Sequence, residues 1–292
     1  MLRIANILVP VDSADSALSQ ALFWAHRLQA SVHAVETHVA GGDSVPAPPA
    51  ARPSAAVHRR VQALAHRMDL PLTDVRAMDL DAPSLAQGAL WYAAEHDIDL
   101  IVAALPTHER IDLTRRTSLP VHIVGRATAA GRPFRRVLAP IDFSRHAKRS
   151  LAHARLLAAL LDAPLHVLHV LERPPYVALN STDMLALSDA KLPERRALRR
   201  AKTLLDATTG PPVDVQFHIA HGDPAHEIAS FANEPDGDLV VLSSHGSTGQ
   251  PDHPLGTVAD KLIRRLDTSV LLVNSFGQSL VAPPSNSAAP SS

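Results

Sequence analysis

Short apolar runs alternate along this chain with stretches in which apolar residues recur every three or four positions. Ile7-Leu-Val-Pro-Val-Asp12 is an apolar run broken by proline and ended by aspartate, and Leu18, Leu22, Ala25 and Leu28 then fall on one helical face. Val137-Leu-Ala-Pro-Ile-Asp142 repeats that run, followed by Ala147, Leu151, Ala154, Leu157 and Leu161. Strands are predicted at 6–12, 31–38, 72–79, 99–105 and 119–125, then at 136–142, 164–171, 213–220, 238–243 and 268–274. Each half thus reads β-α-β-α-β-α-β-α-β. Parallel strands need crossover connections, so this alternation implies an α/β class with an open parallel sheet and helices on both faces. Several strands are almost wholly apolar, as strands buried on both faces are.

The halves correspond throughout: Asp99-Leu-Ile-Val-Ala matches Asp238-Leu-Val-Val-Leu, and Leu119-Pro-Val-His-Ile-Val124 matches Thr268-Ser-Val-Leu-Leu-Val273. The boundary falls near 126–133, giving domains at 1–126 and 135–275. The Pro/Ala/Gly-rich segment 40–56 reads as poor in structure, and the Pro/Ser/Ala-rich tail 276–292 as disordered. One difference stands out. Asp99 to Pro120 spans 21 positions and Asp238 to Ser269 spans 31. The shortfall is assigned to the loop and fourth helix of the first half, a helix expected to be short or absent.

Composition narrows the function classes. Apolar residues make up 46% of the 292 residues and aromatics 3%, so Ala, Leu and Val carry the packing. A net charge of −1 offers no bulk attraction for nucleic acid or an acidic membrane. There is no cysteine, which excludes disulfides and thiolate chemistry and fits a reducing compartment. No stretch approaches the ~20 apolar residues of a membrane span, and the first apolar run is too short for a signal sequence. A soluble cytoplasmic protein is expected.

Candidate chemistry concentrates in Asp238-Leu-Val-Val-Leu-Ser-Ser-His-Gly246 and the residues leading to Gly256-Thr257. An apolar strand enters a glycine-bearing loop that delivers Gly256-Thr257 to the start of a helix. Backbone N–H groups at a helix start attract anions, and glycine allows a phosphate close approach. In the first half the equivalent 103–110 contains no glycine, and Asp12 reads as a strand-end cap. Asp223-Pro224 reads as an N-cap followed by proline at the first helical position. Seventeen histidines are conspicuous, but His166 and His169 lie three apart on one strand and face opposite sides, as do His218 and His221 unless their strand ends between them. His245 and His253 flank the glycine loop. These read as solvated or core-satisfied histidines, and no metal site is assigned. Asp142, Ser144 and His146 lack the nucleophile elbow and oxyanion hole of a hydrolase, so Ser144 reads as a helix cap. The basic run 194–202 reads as the solvated face of an amphipathic helix.

With these motifs the chain resembles the universal stress protein family in its tandem, two-domain form. Nucleotide-binding members carry G-x2-G-x9-G-[ST] after the fourth strand. Here the register reads Ser243, Gly246, nine residues, then Gly256-Thr257, with serine replacing the first glycine. The resemblance implies strand order 3-2-1-4-5 in each domain, with the two packed as a pseudo-dimer through their last strands, the whole chain being monomeric or a homodimer. It also implies a stress-response regulatory protein binding an adenine nucleotide (ATP, with or without Mg2+) in the second domain only, the first being degenerate. The implied contacts are Pro140, Asp142, Val170, Ser243, Gly246, Ser247, Gly256, Thr257 and Val258. The alternative is an interaction or scaffold protein with a degenerate pocket. No catalytic base or paired carboxylate presents itself, and protein partners are not legible.

Overall fold

The computed structural model describes residues 2–12, 14–39, 50–71, 74–126, 134–172, 191–233, 238–246 and 255–281. The first half contains β1 (Asn6–Pro10), α1 (Ser16–Leu28), β2 (Ser31–Val39), β3 (Arg52–Pro53), α2 (Ala55–Arg67), β4 (Val75–Ala82), α3 (Leu85–Glu95), β5 (Leu100–Ala103), α4 (Thr107–Arg116) and β6 (Val121–Ile123). The second contains β7 (Arg136–Pro140), α5 (Arg145–Leu161), β8 (Leu165–Leu171), α6 (Leu192–Asp206), β9 (Val215–His221), α7 (Pro224–Ala232), β10 (Asp238–Ser243), α8 (Thr257–Arg265) and β11 (Ser269–Val273). The α/β alternation read from periodicity is present. Helix starts are set by side chains where the sequence offers them: Ser54, Ser84, Ser144 and Asp223 each accept a hydrogen bond from the backbone N–H three residues on.

All eleven strands form one sheet, in the order β3-β4-β2-β1-β5-β6-β11-β10-β7-β8-β9. Pairing within each half is parallel except at the two-residue β3. The halves join where β6 runs antiparallel to β11, with Val270 opposite Ile123 and Leu271 opposite His122. Alternate residues of each strand feed two apolar layers. Ile7, Val9, Val137 and Val241 pack under α1, α2, α5 and α6, while Leu8, Leu138, Val240 and Leu272 pack under α3, α4, α7 and α8. Both layers draw on both halves, so burial runs continuously across the seam. There the Trp24 indole N–H donates to His122 Nδ1 at 3.0 Å, and Phe134 stacks on Trp24 at 5.9 Å between ring centroids.

Three expectations need correction. The fourth helix of the first half is not short or absent: α4 has 10 residues against 9 for α8. Three residues separate Ala103 from Thr107 and thirteen separate Ser243 from Thr257, so the loop alone accounts for all ten missing positions. Nor is the segment from Ala50 onward structureless. Arg52–Pro53 pairs with β4, and Ser54 caps α2, while 40–49 lies outside the described residues.

The tail is the third. Residues 276–281, expected to be disordered, are strapped across both halves. Arg149 donates to the Gly277 carbonyl at 2.6 Å, Gln278 to Asp99 at 3.0 Å, and the Arg3 N–H to the Leu280 carbonyl at 2.7 Å. Leu280 is 1% exposed, and it lines a small gap with Trp24, His122, Leu157 and Leu271. Composition misled here because one leucine among Ser, Pro and Gln finds a ready-made apolar slot.

Two tests follow from this packing. Leu280→Ala removes a fully buried side chain and is expected to cost about 2–5 kcal/mol in urea unfolding, whereas a disordered tail predicts no change. The second concerns acid. Burial lowers the pKa of His122 to about 3, and burial likewise lowers His153 to about 4 despite its Nδ1–H donating to the Arg149 carbonyl. Below the unfolded value of 6.5 the unfolded chain binds protons that these folded imidazoles refuse. Stability is therefore full above pH 6.5 and falls with acidification, by up to about 1.4 kcal/mol per pH unit for each histidine. Urea midpoints measured from pH 7 to 5 should decline steadily, with a shallower slope in His122→Asn.

Candidate functional site

In the second half, β7 and β10 are neighbours whose connections leave to opposite faces of the sheet: β7 leads to α5 in one layer and β10 to α8 in the other. Open α/β sheets form a crevice at such a point. Here it is a cleft of about 290 Å³, floored by Pro140, Leu168 and Leu242 and walled by Val170, Ile228 and the start of α8. Of the nine residues expected to make contact, Pro140, Asp142, Val170, Ser243, Gly246, Gly256, Thr257 and Val258 line this one cleft. Ser247 and the loop from it to Pro254 lie outside the described residues, as does His253.

The backbone explains the residue choices. Gly256 caps α8, its N–H donating to the Ser244 carbonyl at 2.8 Å, and it supplies no side-chain acceptor for the helix start. The first amides of a helix have no intrahelical partner, and Thr257, Val258 and Ala259, which carry those of α8, line the cleft, with no capping side chain among the described residues. The first turn does carry Asp260, but Arg264 at 2.7 Å and Arg115 of the first half at 2.8 Å both bind it. Hydrogen bonds and charge from Arg264, then from Arg115, hold its carboxyl below the usual range. At Gly246 a Cβ would lie 2.6 Å from Asp142 Oδ2, so a side chain there must displace the carboxylate.

Ser243 departs from the family register without strain. It ends β10 outside the left-handed region, and its hydroxyl donates to the His245 carbonyl at 2.7 Å, bracing the turn. Ser244 and His245 are buried, and the Ser275 N–H donates to Ser244 Oγ at 2.9 Å. The loop is thereby tied to the chain leaving β11.

Sequence reasoning missed several lining residues: His169, Glu172, Pro224, Ile228 and Leu242. His169 Nδ1–H donates to the Ile141 carbonyl at 2.8 Å, and burial lowers its pKa, against the opposing pull of that bond. Its ring packs on Phe143, which adopts φ 61°, and Arg200 from the basic run sits 4.2 Å from the Phe143 centroid. The run 194–202 is thus not merely solvated. Only the order of strands brings α6, β8 and the end of β7 together, and no local signal reveals it.

The candidate triad does not form. Asp142 Oδ1 accepts from the Ser144 N–H at 3.0 Å, and Ser144 Oγ accepts from the Ala147 N–H at 3.1 Å as the cap of α5. His146 lies against the rings of His245 and Phe276. His166 and His169 do face opposite ways, the former stacking on His218 at 5.0 Å.

At the matching place in the first half the connection is Ala104-Leu-Pro106, and Pro106 caps α4. Arg110, 7% exposed, donates back to the Leu105 carbonyl at 2.6 Å, and burial lowers its pKa. Glu109 occupies the first turn of α4, accepting from the Ala86 N–H at 2.8 Å. A carboxylate at that helix start opposes an anion. Asp12, just past the end of β1, accepts at Oδ2 from Ser16 Oγ at 2.8 Å, and the N-cap position of α1 is Asp15.

The sequence model of the Universal stress protein family matches residues 133–274. Universal stress protein MJ0531 of Methanocaldococcus jannaschii is 28% identical over 142 residues, covering 48% of this chain and 82% of its own. Universal stress protein YxiE of Bacillus subtilis is 27% identical over 146 residues, covering 48% and 99%. Among solved structures, the functionally unknown protein PA1789 from Pseudomonas aeruginosa PAO1 shares the fold across both halves, with a TM-score of 0.66 at 22% identity over 93% of this chain and 92% of that one. The matched stretch spans β7 to β11 and contains the whole described cleft, so the second half of the chain, residues 133–274, is what matches the Universal stress protein family.

Proposed function

We propose that the second half binds one adenine nucleotide, ATP with Mg2+, and that the chain acts as a nucleotide-dependent regulatory protein in a stress response. The observation that carries this reading is the convergence on one cleft of Gly246, Gly256, the Asp142 carboxylate and the start of α8, which has no capping side chain among the described residues. The base fits between Val170, Ile228 and Pro140, an apolar slot of the kind ligand sites provide. Asp142 accepts from the ribose hydroxyls, and the first-turn amides of α8 face the phosphates. The register Gly246, nine residues, Gly256-Thr257, shared with nucleotide-binding members of the family, supports the same placement. The first half, with its three-residue connection and Glu109, is the degenerate partner, so the expected stoichiometry is one per chain.

One observation favours the second reading, a scaffold with a degenerate pocket. The described lining carries Asp142 and Glu172 and no lysine or arginine. Triphosphate charge would then rest on the amides of α8 and on Mg2+, so affinity should collapse with EDTA.

Calorimetry on the full chain separates the readings. Mg-ATP should bind at one site per chain. Gly246→Val forces the Asp142 carboxylate aside, and Asp142→Ala deletes it; each should weaken binding at least tenfold, about 1.4 kcal/mol. No saturable heat from wild type at millimolar Mg-ATP would leave the scaffold reading standing.

Ser243→Gly tests the departure from the family register. Because the hydroxyl braces the turn at His245, its loss should loosen nucleotide binding, by about 0.5–1.5 kcal/mol, and speed amide exchange at 244–246. Tighter binding would mean that the serine obstructs the ligand.

A further inference from the structure

A second cluster lies in the first half, at the C-terminal ends of β2 and β4. Glu36 and His38 are two apart on β2 and therefore share a face of the strand. The parallel register sets Asp79 of β4 opposite Glu36 and Asp81 opposite His38. The donor atoms of Glu36, His38 and Asp79 all lie within 4.8 Å of one another, with His38 Nε2 3.6 Å from Asp79 Oδ1. At metal–ligand bonds of roughly 2.1 Å, donors sharing one ion sit about 3–4 Å apart. The His38–Asp79 pair already has that spacing, and Glu36 reaches it by side-chain rotation.

Two features of the cluster call for a cation. Like charges directly opposite each other on paired strands destabilise a sheet, and Glu36 faces Asp79 in that way. Arg52 does not relieve the pair: its guanidinium goes to Asp81, at 3.1 Å. Asp79 Oδ1 is itself buried and has no hydrogen-bond partner among the described residues, an arrangement that is costly for a carboxylate oxygen. His38 at 3.6 Å is too far to hydrogen-bond it.

We propose that Glu36, His38 and Asp79 bind a divalent first-row transition ion, of which zinc is the representative. One imidazole with two carboxylates suits zinc better than Mg2+ or Ca2+, which take all-oxygen sites. Three protein ligands leave a coordination position for water or an exchangeable group. The half of the chain without a glycine loop thereby has a ligand site of its own, at the opposite end of the sheet from the second half's cleft, because the halves join antiparallel, and independent of nucleotide.

The test is a zinc titration of the metal-free full chain, read by calorimetry and by competition with a chromophoric chelator. Wild type should take up one tight equivalent, with Mg2+ and Ca2+ failing to compete. His38→Ala and Asp79→Asn should each weaken that equivalent at least about tenfold, since loss of even an outer-shell partner costs about 10- to 100-fold. His38 is exposed at the strand end, so its variant should keep the wild-type circular dichroism, and Glu36→Gln provides a third removal. His221→Ala, which breaks the exposed His221–Glu194 pair, should leave the equivalent unchanged. The proposal is overturned if wild type shows no saturable zinc binding. It is equally overturned if the three ligand variants bind as wild type does, which would place the zinc on other histidines.

Discussion

A five-stranded parallel sheet ends in edge strands whose outward N–H and C=O groups lack partners, and here two such edges, Val121–Ile123 and Ser269–Val273, are wholly buried and almost entirely apolar. Neither can be left open to water. Their antiparallel pairing satisfies both at once and converts two sheets into one of eleven strands. The rest of the structure depends on that seam. It lets the two apolar layers run unbroken beneath eight described helices, and it buries the Trp24–His122 hydrogen bond that locks α1 to β6. It also brings Arg115 of the first half to Asp260 at the start of α8. The electrostatics of the second half's cleft are therefore set partly by the first half.

The C-terminal strap follows from the same geometry. Because β11 lies beside β6, the chain leaving β11 passes Ser118 and Asp99 before reaching Arg3, and it can hydrogen-bond to each in turn. Gly277 sits where a Cβ would lie 2.0 Å from the Ser118 carbonyl, so only glycine allows so close a crossing. The strap also holds Ser275 against Ser244 and His245, coupling the closure of the seam to the shape of the glycine loop.

The two halves show one fold used with different loop lengths. Ten residues separate their fourth connections, and the following helix is kept in both. Where thirteen residues separate strand from helix, the start of α8 lines a cleft. With three it closes directly onto the helix, and Arg110 binds the connection's own carbonyl. Loop length and the residues of one helical turn are enough to separate a helix start that lines a cleft from a closed one.

The sequence by itself determined the α/β alternation, the internal repeat, the caps at Ser144 and Asp223, and eight cleft-lining residues. The alternation, the repeat and the caps rest on short-range rules, the period of buried positions and capping chemistry, while the cleft residues rest on the glycine spacing after a strand together with the family resemblance. It did not determine where the ten missing residues fell, because Thr107–Arg116 has few apolar positions and reads as helix only once α3 and α8 pack against it. Nor did it place His169, Ile228 or Glu172 in the cleft, or set Asp79 opposite Glu36 and beside His38. Those meetings join residues tens of positions apart, and strand order and register create them. Leu280 was hidden for the same reason: a lone leucine in a polar tail carries no periodic signal, and only the finished seam provides the slot that buries it.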